Sequence, residues 1–181
     1  MDSPSESNIH MDSNPHSVNS SYREMVLEHV FLSALLRHLW QRGIYQVEVL
    51  KSQVDDSGYD LILECNRIVR HIQLKASFAG ATTSRITANI KLCQKPSGCI
   101  LWLVFQRDTL DLQEFLWFGN TAGQPLPEIT DYPIAAHTRA NAIGEKGYRP
   151  NIRVIDKRRF TRLDSIDHVA TNLFGDALLT Q

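Results

Sequence analysis

The strongest constraint on this chain is a change of apolar period near residue 43. Before it, Met25, Val26, Val30, Phe31, Ala34, Leu35, Leu39 and Trp40 recur at three- and four-residue steps. That spacing gathers them on one face of an α-helix. Ser20-Ser21 offers an N-cap and Gly43 a stop, with Arg37, His38 and Arg42 near the negative end of the dipole. The pattern predicts a helix over 21–42. After Gly43 the period falls to two, and Tyr45 to Leu50 alternates as a strand does.

More strands follow. Val54 to Gly58 is a turn cluster. Tyr59 to Cys65 and Ile68 to Ala76 read as two strands joined by Asn66-Arg67, a tight hairpin. Ser77 to Ser84 reads as a loop, and Ile86 to Leu92 fits a strand or a short helix equally well. Cys99 to Phe105 is a continuous apolar run, which suits a strand buried on both faces, and Leu112 to Phe118 follows as its neighbour. Residues 119–150 are rich in Gly, Pro, Asn and Thr and read as mostly irregular. Ile152 to Ile155 predicts a short strand and Ser165 to Leu173 a closing helix. The expectation is therefore an α/β domain, a mixed central β-sheet flanked by helices. Trp40, Trp102 and Trp117 sit in apolar runs and are expected in the core.

The chain has 181 residues, 43% of them apolar, enough for one domain over 21–181. Residues 1–20 are rich in Ser, Asn, Asp and Pro and are expected to form a disordered tail. A net charge of −1 excludes a globally basic coat, so any nucleic-acid footprint must be local. No run of 18 apolar residues predicts a membrane span, and no basic-then-apolar start predicts a secretory signal. Cys65, Cys93 and Cys99 are odd in number and lie in apolar runs. They read as free thiols of a cytoplasmic protein, and no pair of them has zinc spacing.

The hairpin carries the chemistry. Counting outward from Asn66-Arg67 sets Asp60 opposite Gln73, with Lys75 two residues on and on the same face. Opposed side chains have Cβ atoms about 4.5–5.5 Å apart. A carboxylate and an amide oxygen converging at a strand end can hold a hard cation such as Mg²⁺, which keeps several waters. A lysine beside them can position an attacking water or neutralise charge on a phosphate. Glu28, on the helix and offset from the main apolar stripe, can add a second carboxylate; Glu24, one turn earlier, is the alternative. The plainer reading is an ordinary cross-strand ion pair between Asp60 and Lys75.

A helix carrying a glutamate, then Gly58-Tyr59-Asp60 on one strand and Gln73-Leu74-Lys75 on the next, resembles the PD-(D/E)XK nuclease superfamily. The likeness is greatest to the branch whose last motif reads Gln-x-Lys, as in Mrr-type restriction endonucleases, and covers residues 22–118. The resemblance implies a restriction endonuclease-like fold and metal-dependent hydrolysis of DNA. It implies Mg²⁺ (or Mn²⁺) held by Asp60, Gln73 and Glu28, with Lys75 the catalytic lysine and Glu28 sharing in catalysis. Gln73 departs from the commoner Glu and brings less charge to the metal. DNA is the expected partner, and a homodimer is left open.

Residues 137–162 are locally basic. Lys146, Arg149, Arg153, Lys157, Arg158 and Arg159 form a candidate nucleic-acid-binding surface, or else a solvated charged face. His29 and His38 lack metal spacing and read as helix-surface residues; His71 is expected to share the face of Gln73. No phosphate-binding Gly loop and no Gly-x-Ser-x-Gly elbow supports another hydrolase chemistry. Two other functions stay open: DNA binding on this fold without cleavage, and an interaction protein whose polar strand pair is structural.

Overall fold

The computed structural model describes residues 19–51, 57–137 and 147–178. The expected tail, apart from Asn19 and Ser20, and Lys146 lie outside them. The elements are α1 (Ser20–Gln41), β1 (Val47–Lys51), β2 (Leu61–Cys65), β3 (Ile68–Phe78), β4 (Arg85–Asn89), β5 (Gly98–Phe105), β6 (Leu112–Gly119), β7 (Ile134–Ala136), β8 (Tyr148–Asp156), β9 (Thr161–Leu163) and α2 (Ile166–Phe174).

Six strands form a mixed sheet in the order β1-β2-β3-β5-β6-β9, with β3 and β5 parallel and every other neighbour antiparallel. A second, antiparallel sheet runs β4-β8-β7. The fold is α/β, as the change of period predicts. The all-apolar strand is β5, and all eight of its residues are buried. Its side chains alternate between two cores. Cys99, Leu101, Leu103 and Phe105 join the core under α1 and α2, while Ile100, Trp102 and Val104 join Ala88 and Ile155 of the second sheet. The helices cover one face of the main sheet and the small sheet covers the other.

Helix α1 buries Leu27, Phe31, Leu35 and Leu39, a ridge of four-residue steps. Burying each such side chain contributes roughly 1.5–3 kcal/mol. That ridge is narrower than the sequence pattern predicts. Leu27 belongs to it, whereas Met25 is 43% and Trp40 68% exposed. Trp40 is not core; it lies edge-on to Tyr45 just past the helix. Helix α2 starts at Ser165, whose Oγ accepts the His168 N–H.

The hairpin is as predicted. Asn66 and Arg67 have φ of 46° and 69°, as a two-residue primed turn requires, and Cys65 faces Ile68. Arg70 of β3 faces the helix core and is fully buried. Its guanidinium donates to the carbonyl oxygens of Asn172, Leu173 and Asn120, so an arginine ties the C-terminal turn of α2 to the sheet. The segment from 86 to 92 resolves into both alternatives, strand β4 and then a 3-10 turn over Ile90–Gln94. The predicted strand at Ile152 is the end of the nine-residue β8. Strands β7 and β9, three residues each, carry too little pattern to be read from sequence.

Candidate active site

The hairpin register holds from Cys65↔Ile68 as far as Leu61↔Ile72 and then breaks. The Asp60 N–H donates to Ile72 O at 2.9 Å, the carbonyl of the residue already opposed to Leu61. The ladder thus slips by one residue, a bulge-like step, and Asp60 is not a register partner of Gln73. The cause is visible in the side chain. Asp60 Oδ2 accepts the Leu74 N–H at 2.7 Å, so a carboxylate replaces the strand carbonyl that would have come next. Two residues before Asp60, Gly58 packs its backbone against Asn89. Its φ is +74°, and a Cβ there would lie 2.7 Å from Asn89 Cβ. Beyond Ile72, β3 keeps β5 as a ladder partner on one side and has no β2 partner on the other.

A cleft of about 480 Å³ opens at this break. Asp60, Leu74 and Lys75 line it from the sheet, Glu24 and Glu28 from α1, and Lys51 from the end of β1. Asp60, Lys75 and Glu28, expected together from the sequence, thus line one cleft from separate segments of the chain. Glu28 is the more enclosed of the two helix carboxylates, its side chain 12% exposed against 65% for Glu24. Lys51 donates to Glu28 Oε1 at 2.8 Å. Sequence reading passes over Lys51, because a lysine ending an exposed edge strand carries no signal of its own.

Gln73 does not line the cleft. It is buried at 8% exposure on the strand face opposite Ile72, and its Oε1 has no hydrogen-bond donor. A buried acceptor left without a donor costs about 1–3 kcal/mol. Among the described residues, no three His, Cys, Asp or Glu side chains are gathered closely enough to hold a metal by themselves. The carboxylates of Asp60 and Glu28, which do line the cleft, still suit Mg²⁺, which takes few protein ligands and retains water.

His71 lies two residues before Gln73, on the same face by the strand's alternation. Its ring is edge-on to Tyr59 at 5.0 Å, and its buried Nδ1 has no partner. Burial, and then the Lys95 ammonium, pull its pKa below the usual imidazole value. His38, expected on the helix surface, reaches Asp167 of α2 at 3.2 Å.

The basic segment divides. Arg153 is 9% exposed and donates to Thr130 O at 2.8 Å and Pro150 O at 2.6 Å, so it is spent inside the second sheet. Arg149 is exposed on β8. Lys157 lies over the Trp102 ring at 5.6 Å, and Trp102 is the β5 register partner of Lys75. Arg158 is paired with Asp156, whose carboxyl is held below its ordinary range first by that hydrogen bond. Arg159 lies over the Tyr132 ring at 5.7 Å. Arg85, Arg158, Arg159 and Tyr132 line a second cleft of about 770 Å³, shared with Asp131 and Asp156. Arg85 and Tyr132 enter this surface only through the fold, from segments distant in sequence.

No helix among the described residues is long and apolar enough to cross a membrane. No family model matches the chain, and neither a curated protein nor a solved structure matches it.

Proposed function

We propose that the cleft is the active site of a metal-dependent nuclease that hydrolyses DNA phosphodiester bonds, in the manner of the PD-(D/E)XK superfamily. The observation that carries this reading is the convergence of Asp60, Lys75 and Glu28 in one cleft where β2 leaves β3. Asp60 is held in place by the Leu74 N–H, and Gln73 brings an oxygen that lacks a donor. Asp60 and Glu28, which line the cleft, would hold Mg²⁺ or Mn²⁺, with the buried Gln73 as a third donor behind it; the ion would supply an activated water and neutralise charge on the scissile phosphate. Lys75 offers an ammonium to the attacking water or to the developing phosphate charge. Lys157, Arg158 and Arg159 extend a basic surface from the Trp102 side of Lys75 along which a DNA backbone can lie. Three free cysteines suit a cytoplasmic protein.

The neutral amide at Gln73 favours a second reading, DNA binding on the same fold without cleavage. Divalent-dependent nicking of supercoiled plasmid tests the first. Wild-type protein is expected to nick, Asp60→Asn to lose both metal and turnover, and Lys75→Ala to keep metal and lose turnover. Salt-dependent DNA binding with no metal-dependent cleavage would leave the second reading standing.

A further inference from the structure

The Lys51–Glu28 pair is built differently from an ordinary surface ion pair. Its carboxylate side chain is 12% exposed and its ammonium side chain 57% exposed, 2.8 Å apart. Such pairs contribute little when both partners are solvated. Here one partner is largely removed from water, and a carboxylate so placed needs a compensating cation. Lys51 supplies it from the last residue of β1, opposite Leu61 and so beside the start of the strand that Asp60 precedes. Both lysine and glutamate line the same cleft as Asp60 and Lys75.

An ammonium and a divalent ion held on the same carboxylate repel each other at contact distance. A divalent ion that takes Glu28 therefore competes with the Lys51 ammonium for that carboxylate. The lysine is free to swing, because its head is mostly solvated and its stem has four rotatable bonds. We infer that Lys51 is a stand-in cation that holds Glu28 in the metal-free protein and leaves it when a divalent ion enters the cleft. The inference rests on the nuclease reading of this site and adds a control on its loading. The displaced ammonium stays at the cleft mouth, where it can meet a substrate phosphate.

The test is calorimetric titration of the full chain with Mn²⁺, run on wild type, Lys51→Met, Lys51→Arg, Glu28→Gln and the double variant Lys51→Met/Glu28→Gln. Thermal unfolding checks that each variant folds. Lys51→Met is expected to bind Mn²⁺ at least about fivefold tighter than wild type, and Lys51→Arg to stay near wild type. The gain should vanish in the Glu28→Gln background, because the lysine acts through that carboxylate. No gain, or the same gain in both backgrounds, would overturn the inference while leaving the metal site intact. Asp60→Asn reports on the underlying reading separately. If it binds Mn²⁺ as wild type does, or if no protein in the series binds Mn²⁺, the nuclease reading fails and this control falls with it.

Discussion

Asp60 and Leu74 are joined by a hydrogen bond of 2.7 Å, in which a side-chain carboxylate accepts a strand N–H that the neighbouring strand has abandoned. The same carboxylate is both a piece of the sheet and one of the acids lining the cleft. Two substitutions separate these roles. Asp60→Ala leaves a part-buried N–H without its acceptor and should cost about 1.5–3 kcal/mol in denaturant unfolding. Asp60→Asn keeps an acceptor oxygen and should lose less than about 1 kcal/mol. Both should lose divalent binding in calorimetry. Metal binding retained by Asp60→Asn would remove Asp60 from the ligand set, and the nuclease reading with it.

Gln73→Glu should raise Mg²⁺ affinity, since it adds charge where a neutral amide now stands. Without metal the new carboxylate sits at a site 8% exposed, and burial raises its pKa. A raised folded-state pKa makes the variant lose stability as pH rises above the ordinary carboxylate range. Unfolding curves at acid and neutral pH, with and without Mg²⁺, should therefore show a deficit at neutral pH that Mg²⁺ repairs. A deficit that Mg²⁺ leaves unchanged would place the amide outside any metal site.

The arginines of the basic segment should sort by burial. Charge reversal at Arg158 and Arg159 should weaken DNA binding about tenfold or more near 0.1 M salt and reduce the salt slope by about two, for all sequences alike. Its melting temperature should move little, because Arg158 pairs with its neighbour Asp156 at the surface and the exposed Arg159 loses only its contact with the Tyr132 ring. Arg153→Met should do the reverse, costing about 2–3 kcal/mol of stability as buried carbonyls lose their donor. Filter binding across a salt series, beside thermal melts, reads both; unchanged DNA binding after the double reversal would move the footprint elsewhere.

Cysteine labelling gives a check on the core. Burial pushes the Cys99 thiol up to about 12 and raises Cys65 as well, so neither presents thiolate near pH 8. Cys93 is raised too, chiefly by burial, but is only half-buried. Under native conditions iodoacetamide should modify Cys93 first and slowly, and the other two only on unfolding, as mass spectrometry will show. Rapid native labelling of Cys99 would mean that β5 is not the closed centre of the sheet.

What the sequence reveals here tracks where local pattern decides. The hairpin was legible because two residues of turn and a period of two fix a register, and that register brought Asp60 to the strand carrying Lys75. Its failure at the last step has a local cause: Asp60 bonds the backbone of Leu74, and alternation cannot report a side chain that takes a ladder position. Glu28 was legible as a charge just off a helix stripe, though its ion pair with Lys51 spans elements whose docking no pattern encodes. The same limit hid the burial of Arg153, since a basic segment looks uniform until a second sheet folds round one member. The second sheet itself was only partly readable, because its partners β4, β7 and β8 are short or far apart in the chain.

Strand β1 is one border of the six-stranded sheet, and it exposes Val49 and Leu50 at 40% and 48%. An unpaired apolar border invites another chain to add a strand and start aggregation. Glu48 and Lys51 flank those two residues, and a lysine on such a border is a common deterrent to that pairing. Lys51 thus stands where a charge deters edge pairing as well as in the cleft. Any variant that removes its charge should be handled at low concentration, since sticking between molecules would otherwise pass for a change in metal affinity.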